Sequence, residues 1–286
     1  MPVRLLMLGC VVIWGWTFVA MKILLEVVNP IELVGLRFGF GLPILFVLVR
    51  AKRIPLAFAA RDIRPLALGA GLVCFHFLVQ PLGVDKTSAT NTGWIIAVTP
   101  LVLALLSAWL LHERVGRAQV TGIAIASAGI GLLISRGDLT NLWSGSVGDW
   151  LVLSTAFSWA LYTIATRDLS RRCSSLAVTL VVFLPVALGA LVYIAFHSGT
   201  ALFAAFSARA WLALAFLATL GTLAQWFWQV GVARLGAANA GMFLYLEPLA
   251  TTALAVPLLG EDFGAFGALG GALVLFGVWW AEREAR

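Results

Sequence analysis

The stretch from Ala89 to Gly116, ATNTGWIIAVTPLVLALLSAWLLHERVG, aligns without gaps with the stretch from Ala237 to Gly264, AANAGMFLYLEPLATTALAVPLLGEDFG. Asn91 meets Asn239, Gly93 meets Gly241, Pro100 meets Pro248 and Glu113 meets Glu261. The same register carries on to pair Gly122 with Gly270 and Gly129 with Gly277. Apolar composition alone does not reproduce Asn, Pro and Glu together at one offset. A weaker match joins WGWTFVAMK from Trp14 to WALYTIATR from Trp159, aligning the two tryptophans and setting Lys22 against Arg167. The chain therefore reads as two halves, residues 1–140 and 141–286.

Each half is built of membrane-crossing helices. The chain is 62% hydrophobic and 11% charged, with a mean hydropathy of +1.00, against roughly 25% charged residues in a soluble domain. A crossing helix needs about 20 apolar residues, and ten segments qualify: residues 3–25, 31–49, 65–84, 90–111, 118–135, 147–168, 176–197, 210–233, 238–259 and 263–281. The loops between them are short. The continuous apolar runs exclude a β-barrel, whose strands alternate over about 10 residues. The fold class is thus an all-α integral membrane protein.

Five crossings per half is an odd number, so the second half enters the membrane from the opposite side. The result is two inverted five-helix repeats, related by a two-fold axis in the membrane plane, as in alternating-access transporters. The net charge of +6 follows the positive-inside rule rather than pointing to nucleic acid. With a cytoplasmic N-terminus, fourteen Lys and Arg lie inside and three, Lys86, Arg136 and Arg209, outside, and both termini are cytoplasmic. The opening apolar run continues to Leu25 without a small-residue cleavage site and reads as a retained helix. Cys10, Cys74 and Cys173 stand singly, in no disulfide or metal spacing. No cofactor is expected.

WGWTFVAMK, the LRFGFG containing Arg37, the N-x-G…P…LL-x-E pattern shared by the fourth and ninth segments, and the LEP at Glu247 resemble the EamA-type members of the drug/metabolite transporter superfamily. The resemblance spans both halves. It implies ten helices around a central cavity lined by helices one to four and six to nine, with the fifth and tenth peripheral. It also implies a bacterial inner-membrane exporter of amino acids or other small metabolites, either proton-coupled or facilitative.

Ionisable residues inside a membrane are costly and mark functional positions by default; Lys22, Arg37, His76 and Glu247 are the deep ones. Glu247 is the most central and is a candidate to carry a coupling proton or to bind a substrate amine. The alternative is a structural lock on the carbonyl freed by Pro248 or on a neighbouring helix. The first half has Thr99 at the matching position. Pro100 and Pro248 each remove a backbone donor mid-helix and make those helices breakable. His76 and Gln80 stand four apart on the third segment, as Gln225 and Gln229 do on the eighth. They line a wet path or hold helices together, and His76 is the alternative proton carrier.

Lys22 and Arg37 fall nearer the outer surface, where a structural ion pair with Glu26 or Glu32, or snorkelling, competes with an anion-attracting vestibule. Arg167 falls at the inner mouth. Trp14, Trp159, Trp94, Tyr162, Trp226 and Tyr245 could form an apolar or aromatic pocket, joined by the repeat-related Asn91 and Asn239, or could simply pack. GIAIASAGIG from Gly122 and GAFGALGG from Gly264 allow close helix approach, within the bundle or in a homodimer.

The expected partners are a small-molecule substrate, the lipid bilayer and a proton. An intramembrane enzyme would need a paired acid and base, a metal cluster or an activated nucleophile, and the sequence shows none of their motifs. Exchange of phosphorylated or nucleotide-linked sugars would need several cations at mid-depth, where this chain carries an acid.

Overall fold

The computed structural model describes residues 2–111, 117–135, 146–198 and 200–283, and among these every regular element is helical. The first three helices are α1 (Val3–Leu25), α2 (Pro30–Ala51) and α3 (Ala60–Asp85). The fourth expected segment is two helices, α4 (Ala89–Ile96) and α5 (Thr99–Leu111), followed by α6 (Arg117–Ser135). The second half brings α7 (Val147–Arg172), α8 (Ser175–His197), then α9 (Ala208–Ala218) and α10 (Leu220–Leu235) in place of one helix. The ninth segment is α11 (Ala237–Gly241), a 3₁₀ turn over Met242–Leu246, and α12 (Glu247–Leu259); α13 (Gly264–Arg283) closes the chain. The boundary between the proposed halves, and Glu113 and Gly116 of the repeat, lie outside the described residues.

Local chemistry sets these boundaries. Asn29 caps α2, its Oδ1 accepting from the N–H groups of Ile31 and Glu32 at 3.0 Å, while the Glu32 carboxylate accepts from Asn29 N–H at 2.7 Å. Pro30 takes the first helical position, where its missing N–H costs nothing. Ser146 and Asp149 form the same reciprocal cap on α7. Gly260 ends α12 in the left-handed conformation, φ +64°.

Seven helical stretches among the described residues are long and apolar enough to cross a membrane: Val3–Leu25, Pro30–Ala51, Ala60–Asp85, Ala89–Leu106, Ser175–His197, Ala208–Leu235 and Met242–Leu259. Val120–Leu132 and Gly264–Gly277 are shorter apolar stretches, and α7 is long but more polar. Large apolar side chains, such as Phe46, Leu68, Leu188, Phe196 and Leu212, face outward. That surface suits lipid rather than water.

The bundle is organised by three helix pairs, α3 with α7, α2 with α8 and α6 with α13, while α1 packs among α4, α9, α10 and α12. The α6–α13 pair is seated on glycine. A methyl group on Gly129 would lie 2.6 Å from the Gly270 carbonyl oxygen and 2.9 Å from Leu273 Cβ. A methyl group on Gly277 would meet the Gly122 carbonyl oxygen and Ala126 N at 2.5 and 2.6 Å. These glycines are therefore used within the chain, and Gly271 likewise receives the ring of Trp94.

Gly129→Ala should wedge α6 from α13, whereas Gly131→Ala points into open space. Overpacking of this kind costs about 1–3 kcal/mol. The first variant is expected to lower the Tm of the detergent-solubilised protein by roughly 5 °C and the second to leave it unchanged, as read by intrinsic tryptophan fluorescence.

Candidate functional site

The two broken helices decide where the site lies. Pro100 has no N–H for the carbonyl of Ile96, and the helix stops there; the Thr99 hydroxyl donates to that carbonyl at 2.6 Å instead. At the matching place in the second half, Pro248 cannot serve the carbonyl of Leu244, and the backbone N–H of Glu247 takes it by tightening the turn to 3₁₀. The Glu247 side chain is therefore not the partner of the freed carbonyl. Its Oε2 is buried and has no hydrogen-bond partner among the described residues.

Both breaks open onto one small cavity of about 30 Å³. α1 contributes Trp14, Thr17 and Phe18; α2 contributes Arg37; α3 contributes His76, Phe77 and Gln80. Ile96 and Thr99 come from the first break and Leu244 and Glu247 from the second, with Trp159 from α7 and Gln225 from α10. The Trp14 and Trp159 rings meet edge to face, centroids 5.2 Å apart. His76 packs on Phe77 and Trp159 at 4.8 and 4.9 Å. His76 Nδ1 lies 3.1 Å from the Thr155 carbonyl oxygen. A carbonyl only accepts, so this geometry assigns the hydrogen to Nδ1.

Arg37 is the largest departure from the sequence expectation. It does not sit near the surface paired with Glu26 or Glu32. Glu32 is engaged with Asn29 and Ser198, and Arg37 is 2% exposed within the cavity wall. Its guanidinium lies 5.1 Å from the centroids of both Phe38 and Phe77. Nη2 reaches the Gly221 carbonyl oxygen at 3.5 Å, and Nε is buried without a partner among the described residues. No carboxylate stands within ion-pair distance of it among those residues.

Of the other expected lining residues, Trp14, His76, Gln80, Thr99, Trp159, Gln225 and Glu247 reach the cavity and several do not. Trp94 stacks on Phe263 and donates to Thr252 Oγ1 at 3.0 Å, away from it. Tyr162 accepts from Gln229 Nε2, which also reaches Thr166 Oγ1 at 3.2 Å, while Gln229 Oε1 accepts from Ser170 at 2.6 Å. Gln229 is thus a helix fastener, unlike Gln225, whose buried Oε1 has no partner among the described residues. Asn91 heads α4, its N–H donating to Ser88 Oγ, and Trp226 and Tyr245 are half-buried outside the lining. The side chain of Asn239 lies outside the described residues.

Pro100 and Pro248 are buried at the breaks. Lys22 donates to the Asp85 carbonyl oxygen at 3.2 Å and borders a second hollow with Leu25, Glu26, Asp85, Leu259 and Glu261. Arg167 pairs with Asp168 at 3.0 Å. The sequence reading missed Thr17, Phe18, Phe77, Ile96 and Leu244 as lining. Thr17 and Phe18 follow Trp14 at helical spacing and were recoverable; Ile96 and Leu244 carried no signal.

A description of the EamA-like transporter family matches residues 1–135 and again residues 146–282. The chain belongs to the EamA-like transporter family. The "Uncharacterized transporter YyaM" of Bacillus subtilis (strain 168) is 26% identical, covering 99% of this chain and 94% of that protein. The "Probable amino-acid metabolite efflux pump" of Salmonella typhimurium is 27% identical over 94% of this chain and 91% of its own. The "Probable terminal-alkyne amino-acid exporter" of Streptantibioticus cattleyicolor is 30% identical over 79% of this chain and 75% of its own. A crystal structure with 21% identity shares the fold at a TM-score of 0.73 over 99% of this chain and 97% of the other. This EamA protein is thus a multi-pass membrane transporter by family, with relatives named for transport rather than catalysis.

The two glutamines make a matched test of lining against fastening. Gln229→Leu removes the side-chain partner of Ser170 and of the Tyr162 hydroxyl at once and should cost about 1–3 kcal/mol of stability, lowering Tm in detergent. Gln225→Leu should leave Tm within about 2 °C of wild type and instead impair transport in proteoliposomes.

Proposed function

We propose that this EamA protein is an inner-membrane transporter that exports amino acids or other small organic metabolites by alternating access through the cavity between Trp14, Arg37, His76 and Glu247. The observation that carries this reading is the meeting of two proline-broken helices at a cavity whose lining residues carry buried polar atoms without partners among the described residues. A chain tolerates such atoms, and irregular backbone at membrane depth, where they line a route or a binding site.

The architecture we infer is ten crossings in two inverted halves, residues 1–140 and 141–286, with both termini cytoplasmic. Contacts between repeat-related residues support it. Across a two-fold axis, if one residue touches a second, their mates touch in return. The glycine contacts have that reciprocal form, Gly129 on Gly270 and Gly277 on Gly122. Trp14 touches its mate Trp159 directly. Thr99 and Glu247 face one cavity, as do His76 and Gln225.

Because the halves share geometry but not chemistry, the site itself is asymmetric. Glu247 is the group we assign to proton coupling, with His76 as the second carrier. Pro100 and Pro248 are the flexing points of the cycle, and Lys22 with Arg167 flank its two mouths. Exchange of phosphorylated or nucleotide-linked sugars is disfavoured by a lining that offers Arg37 as its cation and Glu247 as an opposing acid. A homodimer would have to use faces other than the glycines that join α6 to α13.

Two measurements test this reading. In proteoliposomes, Glu247→Gln should abolish stimulation of transport by a pH gradient while Tm stays near the wild-type value; unchanged stimulation would remove Glu247 from coupling. In a cysteine-free background, a cysteine at Glu26 should be labelled by an impermeant maleimide from outside the cell and one at Ser174 only from inside. Labelling of both from one side contradicts the inversion.

A further inference from the structure

Among the described residues the guanidinium of Arg37 has no carboxylate within ion-pair distance. It is buried, its Nη2 reaches the Gly221 carbonyl oxygen only at 3.5 Å, and its Nε has no hydrogen-bond partner among those residues. A guanidinium cannot shed its proton inside a protein. Burying its charge is costly unless an opposite charge answers it, and the rings of Phe38 and Phe77, 5.1 Å from Cζ, return only part of that cost. The side chain lines the cavity of about 30 Å³. One water-sized sphere needs roughly 10–15 Å³, so the closed cavity has room for a monatomic ion and not for an organic substrate.

We propose that Arg37 makes this cavity a binding site for a small inorganic monovalent anion of the halide class, chloride being its ordinary occupant. The anion is the counter-charge of the guanidinium rather than the transported substrate, so the inference goes beyond the transporter reading and does not rest on it.

The chemistry of the wall selects that class. The guanidinium offers N–H donors and no acceptor, which suits an anion and excludes a cation at its edge. A halide is spherical and accepts from any direction, so it asks no further geometry of a fork that already leans on two rings and one carbonyl. Trp14 and Trp159 bring two indole N–H donors to the same lining, each without a partner among the described residues. The partnerless acceptors of that lining are Gln225 Oε1 and Glu247 Oε2. Glu247 lines the cavity without forming an ion pair with Arg37 among the described residues, so the acid does not stand in for the anion. A divalent oxyanion such as sulfate overcompensates one cation and is larger than the space. An organic carboxylate carries a body that the cavity takes in only once the broken helices part.

The experiment uses the full chain in detergent at constant ionic strength, with chloride replacing gluconate. A ligand that binds only the folded state raises Tm with its concentration, so wild type should gain roughly 5 °C as chloride reaches about a hundredfold excess over its dissociation constant. Bromide should act as chloride does, and sulfate and acetate should not. Equilibrium dialysis with radioactive chloride should find saturable binding at a single site, displaced by bromide. Arg37→Gln should abolish both the chloride-dependent rise in Tm and the retained radioactivity. Arg209→Gln, which removes a cation outside the lining that donates to the Leu258 carbonyl oxygen, should leave both unchanged.

If chloride and gluconate give wild type the same Tm, if sulfate matches chloride, or if Arg37→Gln still retains radioactive chloride, the halide site is wrong. If acetate displaces the chloride as readily as bromide does, Arg37 is a contact for an organic carboxylate and the proposal is again overturned. Where Arg37→Gln fails to fold, the wild-type competition among bromide, acetate and sulfate decides by itself. The transporter reading is untouched by any of these results, because it is judged by pH-gradient stimulation in proteoliposomes.

Discussion

A backbone inside a bilayer has no water to turn to, so every carbonyl released by a proline must find a donor within the protein. That constraint shapes the centre of this chain twice, in two ways. At Pro100 the donor is the hydroxyl of Thr99, which reaches the Ile96 carbonyl at 2.6 Å. At Pro248 it is a backbone N–H, bonded to Leu244 through a 3₁₀ turn. The second solution frees the side chain at position 247 from any structural duty at the break. A carboxyl stands there, buried, with Oε2 unpartnered among the described residues. The chemical difference between the halves thus follows from how each satisfies the same missing hydrogen bond.

The surrounding packing keeps the breaks together. Gly15 lets α1 approach the second break so closely that a methyl group there would meet the Glu247 carbonyl oxygen at 2.6 Å, and Thr251 Oγ1 donates to the Gly15 carbonyl oxygen at 3.0 Å. At the other end of the same unit, the Glu261 carboxylate accepts from the N–H groups of Ala89 and Thr90 at 2.7 and 2.8 Å. An acid from one half therefore holds the first turn of the broken helix of the other, where the helix dipole favours negative charge. These contacts join α1, α4 and α12 into one assembly beside the cavity, while α6 and α13 stay outside it on their glycine seam.

Much of the cavity wall was legible because polar and ionisable residues are rare in apolar segments, so each stands out: His76, Gln80, Gln225 and Glu247 were all singled out, and all line the cavity. The same logic overreached at Gln229 and Tyr162, which satisfy one another, and at Trp94, which docks on Phe263. It offered Arg37 an ion pair with Glu26 or Glu32 that does not form among the described residues, because position along a helix does not state which neighbour a side chain meets.

The sequence by itself determined the helical class, the membrane environment and the places where helices break, since these depend on composition, spacing and the missing N–H of proline. Only the tertiary structure decided which of two equally spaced glutamines faces the cavity, that Arg37 and Glu247 belong to the same wall, and which polar atoms remain without partners. The physical reason lies in the solvent. A helix in lipid is apolar around most of its circumference, so its hydrophobic pattern marks no inward face, and that face is settled by the glycines, serines and threonines through which neighbouring helices meet.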